Sequence, residues 1–460
     1  MRHSKKLGAL VGLFFSGLLG ATAAHAQGFD ETVTLESGRL LYDFECGKGP
    51  KKPPTPQPAP EPSVPAQVPT KAELGSLARM VTRNPPVLDA EFTHGFDLTD
   101  SKGRLRPRRF AFWGDSHIAA GPMMHQLFEA IRSRGATVGT RFLPPTMGRS
   151  NVRLPMMHDY CIGDSWTTDL AWKAKGEIQV GPGLANRIVS AAPDAYVWLD
   201  LRTADLKPQI RQLQIAYLPT AAGATLELSV NDGPAKQVRL GSGGSGNGFL
   251  TVRSDELIYT LKIQVVAGTF AMQGFLLDYA KPPLVTLDVF GIPGGTAQGW
   301  GNADPAYIAA SLRGDTYDAV VLEYGTNEGN GPNYDPAQYR TDLSVTLAKM
   351  RRAFPKASCI LVGPPDRGVL INRGGGGGRD LLKYARIHKQ IASIQAELAP
   401  NFGCAVWNWQ DYMGGPGGAY GWIYNSPALM GKDLTHLSMD GYRRTGRALA
   451  TSLGWASADR

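Results

Sequence analysis

The sequence has few residues of the kinds that bind metal ions. Its eight histidines form no HExxH motif and no His-x-His pair, and its four cysteines have no metal-ligand spacing. We therefore expect no structural metal, no catalytic metal and no cofactor. In an oxidising compartment the cysteines allow three pairings. Cys46 would gain most from a bridge to Cys161, whereas Cys359 and Cys404 lie in apolar runs and fit buried free thiols equally well.

Long apolar runs are also missing beyond the N-terminus. Residues 1–26 combine a basic start, the apolar stretch Leu7 to Leu19 and the small-x-small sequence Ala24-His25-Ala26, which is typical of a signal peptide removed before Gln27. No later run approaches the ~18 apolar residues of a membrane span. No cysteine follows the cleavage site to carry a lipid. We expect an exported, soluble protein without stable membrane insertion.

Charge of one sign does not dominate the chain. The formal net charge is +8, with 43% hydrophobic and 9% aromatic residues in 460, which is an ordinary globular composition with room for two domains. The charge is compatible with attraction to an acidic polymer, but a mildly basic surface is enough to explain it. No nucleic-acid partner is predicted, and the sequence leaves the oligomeric state open.

Proline marks the first boundary of the chain. The segment Gly49 to Thr70 is rich in proline, which favours an extended spacer. Residues 27–70 are therefore predicted to be an N-terminal segment and linker, with Gln27 to Lys48 poorly ordered and the first folded domain beginning near Lys71. Residues 71–179 and 282–460 are assigned to one domain, and residues 180–281 to a module within it.

The two regions differ in their hydrophobic patterns. Residues 180–281 contain short alternating runs separated by turn sequences such as Asn231-Asp232-Gly233-Pro234 and by the glycine-serine stretch Gly241 to Gly248, which predicts an all-β sandwich. Later the chain alternates strand-length and helix-length patterns, from Ala319 to Leu453. This alternation predicts an α/β fold with a flavodoxin-like parallel sheet covered by helices on both faces. A helix is also predicted from Ser116 to about Ser133.

A candidate nucleophile stands at the end of an apolar run. In the stretch from Phe110 to Ala120, Gly114-Asp115-Ser116 separates a predicted strand from a predicted helix. A serine there lies beside N–H groups that have no intrahelical partner, which suits a developing oxyanion. The same tripeptide recurs at Gly163-Asp164-Ser165, but no apolar strand precedes it. We therefore select Ser116 and interpret Ser165 as a loop residue.

A serine hydroxyl needs a histidine to accept its proton, and a carboxylate to orient that histidine. The sequence Asp433-Leu434-Thr435-His436 provides both groups, in a loop before a helix that Ser438 is predicted to cap. Taken alone, His436 also fits a polar loop residue and Asp433 a turn former. The triad Ser116, His436 and Asp433 is our prediction.

Oxyanion donors are expected after two other strands. Asn327, in Gly325-Thr326-Asn327-Glu328, follows the apolar run Ala319 to Tyr324, and its amide is expected to be free to donate. Gly294 follows the run Leu284 to Phe290, and a glycine there allows its N–H to approach a substrate. The backbone N–H groups of Ser116 and Gly294 and the Asn327 side chain would form a three-donor hole.

These blocks resemble a known family. GDSH at 114–117, the Gly294 segment, GTNE at 325–328 and DLTH at 433–436 are similar, in content and order, to the four signature blocks of SGNH (GDSL-type) hydrolases. The resemblance implies that Ser116 is the nucleophile and first oxyanion donor, that Gly294 and Asn327 complete the hole, and that His436 is the base supported by Asp433. His117 and Glu328 depart from the commonest family residues, leucine and aspartate.

The resemblance extends to one subfamily. Periplasmic peptidoglycan O-acetylesterases have GDSH, a GTNE block and a β-sandwich between the first two blocks that is similar to carbohydrate-binding modules, and the segments 141–145 and 363–367 also resemble theirs. This implies a periplasmic serine esterase that removes O-acetyl groups from a glycan, most simply peptidoglycan, through an acetyl-enzyme. A polysaccharide O-acetyltransferase of the same fold and an inactive glycan-binding protein are the alternatives.

Aromatic residues form a further feature before Asp433. Six of them cluster between positions 407 and 424, namely Trp407, Trp409, Tyr412, Tyr420, Trp422 and Tyr424. Aromatic rings stack on sugars, but packing of a glycine-rich loop explains the cluster equally well. His117 is expected to pack against the top of the sheet, and His125 and His388 to lie on helix surfaces.

Overall fold

The computed structural model describes residues 29–38, 66–79, 83–155, 157–203, 206–331, 334–371 and 380–457. The predicted signal peptide, most of the proline-rich spacer and Cys46 lie outside these residues. The described strands are β1 (Phe29–Leu35), β2 (Arg108–Gly114), β3 (Val138–Gly139), β4 (Phe142–Leu143), β5 (Asp159–Ile162), β6 (Thr167–Leu170), β7 (Ala185–Ser190), β8 (Tyr196–Asp200), β9 (Ile210–Leu218), β10 (Ala224–Val230), β11 (Lys236–Arg239), β12 (Gly248–Ile258), β13 (Thr260–Tyr279), β14 (Val285–Gly291), β15 (Ala319–Glu323), β16 (Ser358–Val362) and β17 (Cys404–Trp407).

Helices occupy much of the remaining described chain. The α-helices are α1 (Lys71–Leu74), α2 (Ala90–Thr93), α3 (Ser116–Ala119), α4 (Pro122–Ser133), α5 (Gln298–Asn302), α6 (Pro305–Ser311), α7 (Pro336–Ala353), α8 (Lys383–Leu398), α9 (Trp409–Tyr412), α10 (Gly418–Ile423) and α11 (Met439–Ser452). Short 3₁₀ helices span Gly75–Ala78, His94–Phe96, Ala171–Lys173, Glu328–Asn330 and Ala399–Phe402. Among the described residues, no helix is both long enough and apolar enough to cross a membrane.

The α/β part is built on one parallel sheet with the order β17-β16-β15-β2-β14-β3. Strand β2 is the centre: β14 lies on one side of it and β15 on the other. Along the chain, β14 is added on one side of β2, and β15 and the following strands are added on the other side. In parallel sheets a crevice forms where the strand order reverses in this way, at the carboxyl ends of the strands. The predicted flavodoxin-like parallel sheet is confirmed.

Helices cover both faces of this sheet because its strands are apolar on both faces. Phe110 and Phe112 of β2 belong to a buried cluster with residues of α4 and α11. The alternate residues, Ala111 and Trp113, belong to the opposite cluster with residues of α6, α7 and α8. The central strand is therefore anchored from both sides, which fixes the position of the residues directly after Gly114.

The all-β part is a sandwich whose two sheets share the long strand β13. The first half of β13 pairs with β8 and β10, and its second half pairs with β7, β9 and β4. Gly268, with a φ of +73°, lies between the two halves. The inward side chains of both sheets form a third hydrophobic cluster. Phe142 and Leu276 instead join the cluster of Trp113, so the sandwich packs directly on the α/β part.

The sandwich is larger than expected. Apart from β1, its first strand is β4, well before residue 180. The strand β12 was not predicted, and it begins at Gly248, the last residue of the glycine-serine stretch that we interpreted only as a turn. The prediction that Gln27 to Lys48 is poorly ordered is wrong for β1, which pairs in parallel with β12 along its whole length. Val33 and Leu35 of β1 are buried. This pairing joins chain segments that no local pattern connects.

Two further expectations need correction. The helix predicted from Ser116 to Ser133 is interrupted between α3 and α4, because Gly121 has a φ of +93° and Pro122 has no N–H to continue the helix. Cys359 and Cys404, which fitted free thiols, occupy paired positions of β16 and β17 and form a disulfide. Cys161 is disulfide-bonded as well.

Candidate active site

Ser116 lies at the carboxyl end of the central strand, on the first residue of α3. Asp115 caps this short helix, because its side chain accepts the N–H of His117 at 2.8 Å. Gly114 is required at the strand end, since a Cβ atom there would lie 2.3 Å from Ile118 Cγ1 and 2.7 Å from Glu323 Oε2. The turn from β2 into α3 is therefore narrow, and it holds the serine at the crevice.

His436 and Asp433 come from the loop before α11, and Ser438 caps that helix as predicted. The Oγ atom of Ser116 lies 3.0 Å from His436 Nε2, and His436 Nδ1 lies 2.7 Å from Asp433 Oδ2. The other carboxylate oxygen of Asp433 accepts the backbone N–H groups of Thr435 and His436. The three residues proposed as a triad therefore form one continuous hydrogen-bonded chain.

The electrostatics of the pair suit a general base. The hydrogen bond to Asp433 raises the pKa of His436 against the opposing effect of burial. Burial raises the pKa of Asp433, but hydrogen bonds from the His436 side chain and the loop backbone outweigh it and lower this pKa to about 2. Asp433 is thus an ionised carboxylate that accepts a hydrogen bond from the Nδ1–H group of His436. The lone pair on Nε2 of His436 therefore faces Ser116.

Gly294 occupies a tight turn next to the serine. The Gly295 N–H donates to the carbonyl oxygen of Ile292 at 2.8 Å, with Pro293 and Gly294 between them and a φ of +78° at Gly294. Proline followed by a residue of positive φ is the pattern of a type II turn, which explains the glycine. The Ile292 N–H donates in turn to the carbonyl oxygen of Gly114. This bond holds the Gly294 turn against the strand that carries Ser116.

Two of the three expected oxyanion donors are open. Within the described part of the chain, the backbone N–H groups of Ser116 and Gly294 have no hydrogen-bond partner. Asn327 differs from expectation, because its amide donates to Asp115 Oδ2 at 3.1 Å and to the carbonyl oxygen of Gly295 at 2.9 Å. Its amide is therefore engaged rather than free. To reach an oxyanion, Asn327 must share or release one of these bonds.

Glu328 connects the two loops that carry Gly294 and Asn327. Its Oε1 accepts the N–H of Ala297 at 2.8 Å, and its Oε2 accepts the N–H of Gly325 at 3.0 Å. Burial raises the pKa of Glu328 to about 7. The residue that departs from the family's usual aspartate thus bridges both oxyanion segments through its longer side chain.

A pair of buried carboxyl groups lies beneath the nucleophile. Asp115 and Glu323 are both fully buried, and Glu323 Oε2 accepts the Asp115 N–H at 3.2 Å. Burial raises the pKa of Asp115 to about 6. Burial and the nearby Asp115 charge raise the pKa of Glu323 well above its ordinary value, which favours its neutral form.

Other candidates lie away from this chemistry. Ser165 is in the turn between β5 and β6 of the sandwich, where its hydroxyl bonds to Asp194. His117 is buried against Trp409 and bonded to Tyr442, as expected for a residue that packs on the sheet. His388 is also buried, so its predicted place on a helix surface is wrong.

The aromatic cluster before Asp433 is part of the core. Trp407, Trp409, Tyr420 and Trp422 are fully buried, and Tyr412 is nearly so. The suggestion that this cluster forms a glycan platform is therefore wrong, and the packing interpretation is confirmed for these five residues. They stabilise the elements that carry the His436 loop.

Two residues near the site were given no role from the sequence, although Arg367 lies in the segment 363–367 that resembles the subfamily. Trp172, in the 3₁₀ helix that follows β6, lies close to the turn at Gly294: a Cβ atom on that glycine would lie 3.8 Å from the indole. Arg367 follows β16 at the same sheet edge, and its charge lowers the pKa of His436. The position of Arg367 after a predicted strand was a usable signal. Nothing local indicated Trp172, because its contact depends on how the sandwich packs.

Comparison with known proteins identifies one family model. Residues 267–444 match the sequence model of the GDSL-like Lipase/Acylhydrolase family. The match includes Gly294, Asn327, Asp433 and His436, while Ser116 precedes it, on the other side of the sandwich. No curated protein matches the chain in sequence.

Solved structures give a similar result. A structure described as a peptidoglycan O-acetylesterase in action is 19% identical, with a TM-score of 0.55 over 76% of this chain and 91% of that chain. A family 2 carbohydrate esterase with a carbohydrate binding domain from Corynascus thermopiles is 11% identical, with a TM-score of 0.26 over 63% and 100%. A family two carbohydrate esterase from Clostridium thermocellum in complex with cellohexaose is 11% identical, with a TM-score of 0.26 over 65% and 100%. With the family match, the first likeness shows an SGNH hydrolase fold.

Proposed function

We propose that this chain, whose residues 267–444 match the GDSL-like lipase/acylhydrolase family model, is a serine esterase that removes O-acetyl groups from a cell-envelope glycan. The observation that carries the proposal is the continuous chain of hydrogen bonds from Ser116 through His436 to Asp433. Open backbone N–H groups beside the serine add the second requirement of acyl transfer.

The geometry supports a two-step reaction. His436 Nε2 takes the proton of Ser116 as Oγ attacks the acetyl carbonyl carbon, and the developing oxyanion is stabilised by the N–H groups of Ser116 and Gly294. The bond between the acetyl carbon and the sugar oxygen then breaks, and His436 gives the proton to the departing sugar oxygen. Water, deprotonated by the same imidazole, hydrolyses the acetyl-enzyme and releases acetate. Asp433 stabilises the imidazolium in both steps.

A glycan substrate is supported by what the sandwich places at the site. Trp172 belongs to the connection between β6 and β7 and is half-buried beside the Gly294 turn. Its loop is fixed, because the Asn302 amide donates to the carbonyl oxygens of Ala171 and Ala174 at 2.9 Å each. A half-buried indole at the Gly294 turn provides apolar surface for a sugar ring, on the side of the ring not covered by the Lys173 ammonium, which lies 4.9 Å from its centroid. We assign the sandwich the role of positioning the polymer.

Peptidoglycan in the periplasm is the substrate and compartment that we favour. The fold likeness to a peptidoglycan O-acetylesterase and the signal-peptide pattern of residues 1–26 support this choice. Transfer of the acetyl group to a sugar hydroxyl would use the same acetyl-enzyme, so product analysis with a glycan acceptor separates the two activities.

Replacement of the nucleophile tests the proposal. We expect Ser116→Ala to lower the rate of hydrolysis of a chromogenic acetate ester by at least about 10³-fold, while a chelator leaves the wild-type rate unchanged. Ser165→Ala is the matched control, because it removes the serine of the second Gly-Asp-Ser copy, and it should keep the wild-type rate. Full activity in Ser116→Ala, or no acetate released from O-acetylated peptidoglycan by the wild type, would contradict the proposal.

A further inference from the structure

The loop after β16 is held rigidly at the same sheet edge as the triad. His388 Nδ1 lies 2.7 Å from the carbonyl oxygen of Pro365, and the Gly368 N–H donates to the carbonyl oxygen of Leu434 at 2.9 Å. The buried carboxylate of Asp366 accepts one side-chain amide and two backbone N–H groups. These hydrogen bonds fix the backbone on both sides of residue 367, so the position from which its side chain extends is fixed as well.

That residue is Arg367, whose guanidinium is oriented but not neutralised. Its Cζ lies 4.0 Å from the centroid of the Tyr384 ring, and its Nη1 donates to Asn330 Oδ1 at 2.6 Å. Nε is buried without a partner. Among the described residues, no carboxylate forms an ion pair with Arg367, and Nη2 makes no hydrogen bond. The guanidinium of Arg367 is thus held by the Tyr384 ring and the Asn330 amide, and some of its N–H groups remain unpaired.

The guanidinium lies between two loops of the site. The Gly368–Leu434 hydrogen bond places it beside the loop of Asp433, and Asn330 ends the 3₁₀ turn that begins directly after Asn327. The charge of Asp433 also raises the pKa of Arg367, against the larger lowering by burial. An anion bound at Arg367 would therefore lie next to the reacting ester and not on a remote surface.

We propose that Arg367 forms a subsite for a carboxylate of the substrate, so that the enzyme prefers acetyl esters on acidic glycans over those on neutral ones. This inference rests on the proposed function and specifies its substrate class. The free N–H groups of Nη1 and Nη2 match the two oxygens of a carboxylate. Peptidoglycan carries carboxylates on its peptide stems and on lactyl ethers that bear no stem. If Arg367 served only to hold Asn330, the single hydrogen bond from Nη1 would be enough. The remaining N–H groups of its guanidinium would then have no function.

The test compares three acetyl esters with wild-type protein and Arg367→Gln. The substrates are O-acetylated peptidoglycan, an acetylated xylan free of uronic acid side chains as a polymer without carboxylates, and a small neutral chromogenic acetate. We expect Arg367→Gln to raise KM for peptidoglycan about 10-fold with little change in kcat. At a pH well above the pKa of His436, where the loss of the Arg367 charge no longer affects protonation of the base, the kinetic constants for the two neutral esters should remain within about 2-fold. Arg367→Lys, which keeps the charge but not the planar fork, should show an intermediate KM.

Arg386→Gln is the control for loss of positive charge, because Arg386 is an exposed residue of α8 paired with Asp380. Its KM values should match the wild type. An unchanged KM for peptidoglycan in Arg367→Gln would overturn the proposal. An equal loss of kcat on all three esters would also overturn it, because that result indicates a positioning role through Asn330.

A second measurement separates this inference from the proposed function. A muramyl peptide without O-acetyl groups and a neutral chito-oligosaccharide are compared as inhibitors of chromogenic acetate hydrolysis. We expect the muramyl peptide to inhibit the wild type more strongly, and Arg367→Gln to lose that difference. The inhibition assay does not require that the protein release acetate from a glycan. If no glycan releases acetate, the proposed function is refuted, but the carboxylate subsite can still be tested. Equal inhibition of both proteins by the muramyl peptide would refute the carboxylate subsite.

Discussion

The Oγ atom of Ser116 lies 3.0 Å from Nε2 of His436, although 320 positions separate the two residues in the chain. The hydrogen bond joins the end of the central strand to the loop before the last helix. Asp433 lies behind the imidazole, and its hydrogen bond is the largest cause of the raised pKa of His436. This relationship makes the pH dependence of the enzyme predictable in sign.

Asp433→Asn tests the orientation of the base. Only neutral His436 can accept the serine proton, so activity falls as pH drops below the raised pKa of His436. With the carboxylate removed, this pKa decreases and the acidic limb of the kcat/KM profile shifts to lower pH. We also expect kcat to fall by about 10²–10⁴-fold, because the tautomer is no longer held.

Asp440→Asn is the control for this experiment. Asp440 is an exposed carboxylate in the first turn of α11 that pairs with Arg443. It should leave both the rate and the pH profile unchanged. An acidic limb that stays in place in Asp433→Asn would show that Asp433 does not set the pKa of His436.

Glu328→Gln tests the bridge between the oxyanion loops. A glutamine keeps one acceptor oxygen, so one of the N–H groups of Ala297 and Gly325 loses its partner, at a cost of about 1–3 kcal/mol. We expect kcat on a chromogenic acetate to fall about 10–100-fold with a small change in KM, because the donors for the transition state move. Glu129→Gln, on the exposed face of α4, should have no effect. A wild-type kcat in Glu328→Gln would exclude this positioning role.

Leu35→Ala tests whether β1 is an integral strand of the sandwich. Leu35 is 1% exposed and pairs with Ser254 of β12. Its truncation leaves a cavity, and we expect the free energy of unfolding to fall by about 2–5 kcal/mol in chemical denaturation. The neighbouring exposed residue gives the control, since Thr34→Ala should change stability by less than about 0.5 kcal/mol. Equal stability of the two variants would show that β1 contributes no core.

Local patterns predicted the elements that carry the site. The apolar run Ala319 to Tyr324 is one residue longer than β15, and the alternation predicted from Ala319 to Leu453 corresponds to β15, α7, β16, α8, β17 and α11. These segments show clear periodicity and end at capping or turn residues, both of which are local properties. The helix from Ser116 to about Ser133 was predicted as continuous, whereas Gly121 and Pro122 interrupt it between α3 and α4.

The amino-acid order by itself therefore determines a parallel α/β sheet with Ser116, Gly294, Asn327 and the His436 loop each placed after a strand or before a helix. Periodicity and turn chemistry suffice for that, because they act over a few residues. Other features arise only on folding: the pairing of β1 with β12, the engaged amide of Asn327, the position of Trp172 at the Gly294 turn, and that of Arg367 near the His436 loop. Each depends on contacts between segments far apart in the chain, whose free energy is gained only when the sandwich and the sheet pack together.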